Sequence, residues 1–322
     1  MKTVTRALAA LCLIVACSVH AADTSYPSRP IRIIVPFPPG AATDTIARLL
    51  GQKMTETWGQ QVVVDNRGGA GGNIGMGIGA NSPNDGHTIL FVSSTLMVNP
   101  GLYDKIPYDP YKSFIPISNL SHSPHVFFVN ASQPPKTLAE LIDAVKKEPK
   151  KYSIATPGIG TVPDLAARLL TLDAKMSLVA VPYGGGGPSL AAVVGNQVPF
   201  GCQAVPPVTP HIKAGRVRAL AFTSDKRTAN FPDVPTMAEA GFSGHESVTI
   251  TGMLVPAGTP AAIVKKLYAE AKRGMHLPDV SGKVLEMGAD VIVSTPEEFA
   301  AQIRHEVPKW TKVIKAANIR VE

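Results

Sequence analysis

Segments that read as buried strands alternate with amphipathic helices along almost the whole chain, and that alternation most restricts how it can fold. Apolar runs of strand length occur at Ile31–Phe37, Val62–Asp65, Thr88–Ser93, Val126–Val129 and Tyr152–Ala155, and again at Leu178–Pro182, Val198–Ala204, Val217–Phe222, Val248–Val255 and Val291–Val293. The helices between them carry start signals. Thr137-Leu138-Ala139-Glu140 has the form of a capping box, followed by an apolar face of Leu138, Leu141, Ile142 and Val145. Thr295-Pro296-Glu297-Glu298 is a second box with proline at the first helical position, and Ile263, Val264, Leu267 and Ala271 line a third helix. Such alternation predicts an α/β architecture with mostly parallel sheets, whose ligands sit beyond the carboxyl ends of the strands.

The first strand, Ile31–Phe37, runs into a Pro38-Pro39-Gly40 turn and a helix with Ile46, Leu49, Leu50 and Met54 on one face. A turn of this kind aims unpaired N–H groups and the positive end of a helix dipole past the strand end, where an anion is favoured. Small residues at Gly40, Ala41 and Ala42 would let a guest approach the backbone. Three further glycine-rich or Pro-Gly segments stand at strand ends: Asn66–Asn73, Ala155–Asp164 and Val181–Pro188. In the third, Thr161 is placed as an N-cap with Asp164 three residues on; in the fourth, Pro188 suits a first helical position. Any one of these is ordinarily just a flexible connection. Four together predict a cleft lined with backbone donors that binds carboxylate or phosphate.

The first 22 residues read as a secretory signal: Lys2 and Arg6, then an apolar run over Ala7–Ala16, then a small-residue cleavage site ending at Ala21 or Ala22. Ile14-Val15-Ala16-Cys17 also fits a loose lipoprotein box, which would leave Cys17 lipidated, although Ile14 stands where leucine is preferred. Cleavage leaves Cys202 as the one cysteine of three, so no internal disulfide can form. A large export-directed chain held together by burial fits a periplasmic protein. It also leaves 29 basic against 24 acidic residues, a formal charge of +5. The basic residues are scattered, so no nucleic-acid groove is indicated, though a mild positive balance helps gather small anions. About 300 mature residues suggest two domains. The lack of a low-complexity linker implies paired crossovers, placed near His122–Val126 and Gly244–Val248. That divides the chain into lobe I (26–123 and 248–322) and lobe II (124–247).

Enzymatic and cofactor signatures are missing. Gly75–Ala80 matches the G-x-G-x-x-A dinucleotide pattern but follows no strand directly and has no acidic residue at the required distance. Gly241-Phe242-Ser243-Gly244 breaks the nucleophile-elbow pattern, and the mature histidines have no metal-ligand spacing. His122-Ser123-Pro124-His125 reads as a polar crossover, and Cys202 as an inert buried thiol. No cofactor or metal is expected. A hydrolase using Ser93 or Ser94 lacks a base at motif spacing.

Together the segments resemble the Bug family, the periplasmic receptors of tripartite tricarboxylate transporters. The resemblance rests on Tyr26–Pro30, Val35–Gly40 with Asp44 and Ala47-Arg48, Asn66–Gly72, Gly215–Ala221, Pro232–Thr236 with Glu239–Gly241, and Pro256–Pro260. It implies a two-lobed, type II Venus-flytrap fold that closes on a small organic acid, with backbone groups and ordered water from the turns at Pro36–Asp44 and Thr156–Thr161 holding a carboxylate. It further implies delivery to membrane permease subunits by a receptor read as a monomer; a carboxylate sensor without a cognate permease is the other use of the same site. Phe37 and Tyr183 would wall the pocket, and N–H groups around Gly40, Ala41 and Ala42, beside Asp44, would hold the carboxylate. Thr156, Gly160 and Thr161 would answer from lobe II, with Ser94, Asp164 and Gln203 tuning specificity. Two positions depart from the family pattern: Asp164 where histidine is usual, and Gly184 where lysine is usual. Both remove a potential cation, so an aromatic or other monocarboxylate joins di- and tricarboxylates among the expected ligands.

Overall fold

The computed structural model describes residues 26–228 and 230–320; the expected signal segment and Cys17 lie outside them. In chain order the elements of the first half are β1 (Ile31–Val35), α1 (Ala42–Trp58), β2 (Val62–Asn66), α2 (Asn73–Ala80), β3 (Thr88–Ser93), α3 (Thr95–Leu102), β4 (Phe114–Asn130) and α4 (Leu138–Lys147). Then come β5 (Ser153–Thr156), α5 (Val162–Asp173), β6 (Val179–Pro182), α6 (Gly186–Val194), β7 (Phe200–Ala204), α7 (Val205–Lys213) and β8 (Val217–Phe222). The chain returns through β9 (Val248–Pro256), α8 (Ala261–Met275), α9 (Pro278–Glu286), β10 (Asp290–Val291) and α10 (Pro296–Ala316).

Each half of the molecule has its own parallel strands. β1 pairs in parallel with β2 and β3, and β5 with β6 and β7. The connecting strands run against them, so both sheets are mixed. β4 is the shared member: Phe114–Pro124 pairs antiparallel with β9, and from His125 onward the same strand pairs with β7 and β8. At this switch three segments are tied together. His125 N–H donates to Thr223 Oγ1 at 2.8 Å, and the Thr223 hydroxyl donates to the Ser247 carbonyl at 2.6 Å. The His125 ring is fully buried, with Nδ1 3.2 Å from Ser247 Oγ and Nε2 3.0 Å from Thr249 Oγ1. Burial lowers its pKa to about 3, so the ring is neutral.

Both faces of each sheet are covered, as parallel strands require. Ile31, Ile33, Ile34 and Val35 of β1 are all buried. On one face of this sheet α1, α8 and α9 pack over Ile33, Phe91 and Met253. On the other, α3 and α10 surround Phe299 and Trp310. The second sheet packs α4 and α5 over Phe127 and Phe200, and α6 and α7 over Phe128 and Phe222. Val162 and Leu165 of α5 belong to the same core as Trp310, which places the two halves in direct contact on the α10 side.

Candidate ligand-binding site

The turn after β1 and the turn after β5 are built on one plan. Gly40 has a left-handed φ of +87°, and no atom lies within 4 Å of where its Cβ would stand, so the backbone there is bare. Asp44, in the first turn of α1, accepts the Gly40 N–H at 2.9 Å, Arg48 Nε at 3.0 Å and Asn66 Nδ2 at 2.9 Å. Burial pushes its carboxyl upward, but the bonds from Arg48, Gly40 and Asn66 outweigh that and hold it below the usual carboxylate range. Asp164, in the first turn of α5, accepts the Gly160 N–H at 3.1 Å, Arg168 Nε at 2.9 Å and the Thr156 hydroxyl at 3.0 Å. The shared pattern is Gly-x-x-x-Asp-x-x-x-Arg, at Gly40–Arg48 and again at Gly160–Arg168. In both, the helix supplies an i,i+4 arginine that neutralises a carboxylate lying where an anion would otherwise compete.

This plan decides which donors are open. Gly40 N–H is spent on Asp44, whereas no acceptor for the N–H groups of Ala41, Ala42 and Thr43 is found among the described residues. The turn after β5 offers less. Thr161 occupies the N-cap but forms no capping box: both its N–H and its hydroxyl donate to the Gly158 carbonyl, at 3.2 Å and 2.8 Å. The Thr156 hydroxyl and the Gly160 N–H are committed to Asp164. Asp164 itself is fully buried, so the structure makes it a strut for the turn rather than a carboxylate facing the cleft.

The other expected residues fall at the same strand ends. Phe37 is half-buried on the α1 side and its carbonyl accepts from Asn66 Nδ2 at 3.0 Å. Ser94 is buried and its hydroxyl is used twice on β9, donating to the Val248 carbonyl at 3.2 Å and accepting the Ile250 N–H at 3.0 Å. It ties the strand end to the crossover instead of presenting a free group. Ser93 Oγ faces Thr95 Oγ1 at 3.2 Å, and among the described residues neither serine is hydrogen-bonded to a histidine or carboxylate. Tyr183 is half-buried beside the β5 turn, its N–H on the Thr156 carbonyl at 2.9 Å. Gln203 is the last residue but one of β7 and lies beside the α6 N-terminus. α6 starts at Gly186, so Pro188 is its third residue, not its first. A Cβ on Gly160 would stand 2.6 Å from Leu102 Cδ1 of α3, so the β5 turn rests on the half of the molecule built around β1.

Glycines of the Asn66–Asn73 turn serve packing. Gly71 leaves room for Tyr103, whose hydroxyl would sit 2.6 Å from a Cβ there, and the Gly71 carbonyl accepts from Asn99 Nδ2 at 3.0 Å. Gly75, Gly77 and Gly79 lie within α2 and admit Pro36, Pro107 and Leu90, which accounts for the dinucleotide-like spacing without a nucleotide. A cavity of about 720 Å³ lies elsewhere, between α7 and α9 around His122, Pro206, Phe231 and Leu285, and contains none of the strand-end turns. No cluster of metal-ligating side chains is found among the described residues.

Comparison with known proteins adds the family. The model of the tripartite tricarboxylate transporter family receptor matches residues 46–319. The chain belongs to this receptor family. A UPF0065 protein from the tcbD-tcbE intergenic region of Pseudomonas sp. strain P51 is 40% identical over 291 residues, 90% of this receptor and 87% of that protein. The periplasmic binding protein BugD superposes with a TM-score of 0.73 at 36% identity, covering 92% of this receptor and all of BugD. MatC from Rhodopseudomonas palustris, solved with bound malate, gives 0.73 at 33% identity over 90% of this receptor and all of MatC. A second R. palustris protein, solved with adipate, gives 0.75 at 30% identity over 92% of this receptor and all of that chain. The receptor thus shares the two-lobed periplasmic-binding-protein fold.

Sequence reasoning reached both turns but not their struts. Arg48 entered only as a family-matching residue, Asn66 as that and as the first residue of a glycine-rich segment, and Arg168 did not enter. The repeated Gly-x-x-x-Asp-x-x-x-Arg spacing was the signal available; a search for repeats of fixed period does not find it.

Proposed function

We propose that this receptor works outside the cytoplasm, closing two lobes on a small organic acid and handing it to the permease of a tripartite carboxylate transporter. Lobe I is residues 26–123 and 248–322, lobe II is 124–247, and β4 and β9 join them. Residues 1–22 direct export to the periplasm. The observation that carries the reading is the row of N–H groups at Ala41, Ala42 and Thr43 that find no acceptor among the described residues, beside an Asp44 whose charge Arg48 cancels. That arrangement suits a carboxylate and provides no nucleophile, so the receptor performs no chemistry of its own. Phe37 and Tyr183 flank the acid, and water bridges it to the Thr156–Thr161 turn. The malate and adipate bound to two structural relatives support the same ligand class.

Calorimetry on the processed protein with malate, adipate, glutarate, citrate and benzoate tests this. Saturable binding of one or more acids, with no turnover, is expected. Absence of heat with every acid, or hydrolysis of the corresponding esters, overturns it.

A further inference from the structure

The donors that the β5 turn lacks are present one strand over, at the start of α6. No acceptor for the N–H groups of Gly184, Gly185, Gly186 and Gly187 is found among the described residues. Ser189 N–H makes the helix's first backbone bond, to the Gly185 carbonyl at 3.3 Å. Gly184, Gly185 and Gly187 have nothing within 4 Å of a Cβ position, so the approach to this backbone is open.

Beneath the turn sit two polar side chains for which no hydrogen-bond partner is found among the described residues. Gln203 is 1% exposed, and both its Nε2 and its Oε1 are buried without a partner. Its amide lies against the first residue of α6, Oε1 being 3.3 Å and Nε2 3.7 Å from a Cβ position on Gly186. Ser189, fully buried on the same helix face one turn on, also has an unpartnered hydroxyl. Burying a polar group without a partner costs about 1–3 kcal/mol, so three such atoms at one helix N-terminus mark a place built for a guest.

We propose that this turn is the distal subsite of the cleft, where Gln203 and Ser189 select a neutral ligand group that both donates and accepts: a hydroxyl or a primary amide. The inference rests on the carboxylate-receptor reading and adds which acid is taken. A glutamine amide needs an acceptor for Nε2 and a donor for Oε1. A second carboxylate would accept from Nε2 and from the glycine N–H groups yet leave Oε1 buried without a donor, and a methyl would pair with neither end of the amide. The arginine of the neighbouring turn, Arg168, is engaged with Asp164, and position 184 carries no side chain to supply a cation. The receptor's ligand is therefore a hydroxy or amido monocarboxylic acid, its carboxylate at Ala41–Thr43 and its neutral polar end at Gln203.

The test is a calorimetric comparison of valerate, 5-hydroxyvalerate, glutaramate and glutarate, with shorter and longer homologues to fit the span. The hydroxy or amide acid is expected to bind about tenfold or more tighter than the methyl and dicarboxylate members of its length. Gln203→Leu should remove that preference, bringing the hydroxy, amide and methyl members of one length to similar affinities, and Ser189→Ala should reduce it in part. Circular dichroism and melting of each variant establish that it is folded. A preference for the dicarboxylate, or an unchanged preference in folded Gln203→Leu, overturns the subsite and leaves the receptor reading intact. Failure of every acid to bind overturns both.

Discussion

Truncating Asp164 is expected to cost more stability than truncating its counterpart Asp44, although the two residues occupy the same place in the same motif. Asp164→Ala strands the Thr156 hydroxyl and the Gly160 N–H, both at buried residues, and a buried group left unpaired costs about 1–3 kcal/mol. Arg168, 24% exposed in its side chain, reaches water and adds at most about 1 kcal/mol. The loss is therefore about 2–7 kcal/mol. Asp44→Ala leaves Gly40, which is exposed, Asn66, half-buried, and Arg48, 51% exposed in its side chain, all of which water can reach; about 1–2 kcal/mol follows. Urea unfolding followed by circular dichroism and tryptophan fluorescence measures both. Asp164→Asn should recover much of the loss, because an amide can still accept from Gly160 N–H while its NH₂ donates to Thr156 Oγ1. A folded Asp164→Ala within 1 kcal/mol of the parent, or one less affected than Asp44→Ala, refutes the reasoning that these carboxylates hold the turns.

Acid should weaken the fold through His125. Its folded pKa of about 3 lies below the ordinary 6.5, so the unfolded chain binds a proton that the folded chain does not. Stability from this ring is complete above about pH 6.5 and falls by about 1.4 kcal/mol for each pH unit below it, down to pH 3. His125→Gln, compared with the parent by urea unfolding at pH 7 and pH 5, should show a shallower decline; equal slopes would remove His125 from the account. Gly75→Ala is expected to destabilise by about 1–3 kcal/mol, since the new methyl would stand 2.6 Å from the Arg67 carbonyl oxygen and 2.8 Å from Pro36 Cα. An unchanged urea midpoint in that variant would show that α2 can shift away from the β1 turn at no cost.

Local rules explain which parts of this fold were legible in the sequence. β1, β3, β5 and β9 were readable because each is an apolar run bounded by turn residues, and α10 because Thr295 and Glu298 form a true capping box. β4 was harder. Only Val126–Val129 reads as a strand, because Ser118, Asn119, Ser121, His122 and His125 interrupt the apolar pattern, yet they lie in a strand of 17 residues. Several of their polar groups are satisfied by segments distant in sequence: the Ser118 hydroxyl by the Ser294 carbonyl, the Asn119 Nδ2 by Gln302 Oε1, and the His125 ring by Ser247 and Thr249. α7 escaped notice for a related reason, since Pro206, Pro207 and Pro210 argue against a helix that tertiary packing nonetheless supports. At the site, the glycine turns announced themselves through composition. What composition cannot say is which donors are already spent. Gly40 and Gly160 read as ligand donors until the strut carboxylates four residues on are seen to hold them.

In the proposed complex an acid's carboxylate sits on the N-terminus of α1. Amide chemical shifts of ¹⁵N-labelled receptor test it most directly, followed while adding the acid that calorimetry shows to bind best. The Ala41, Ala42 and Thr43 amides should move most among those packed around β1, saturating at the calorimetric affinity. Saturable binding that leaves those three amides unmoved, with shifts gathered instead around His122, Phe231 and Leu285, would contradict it.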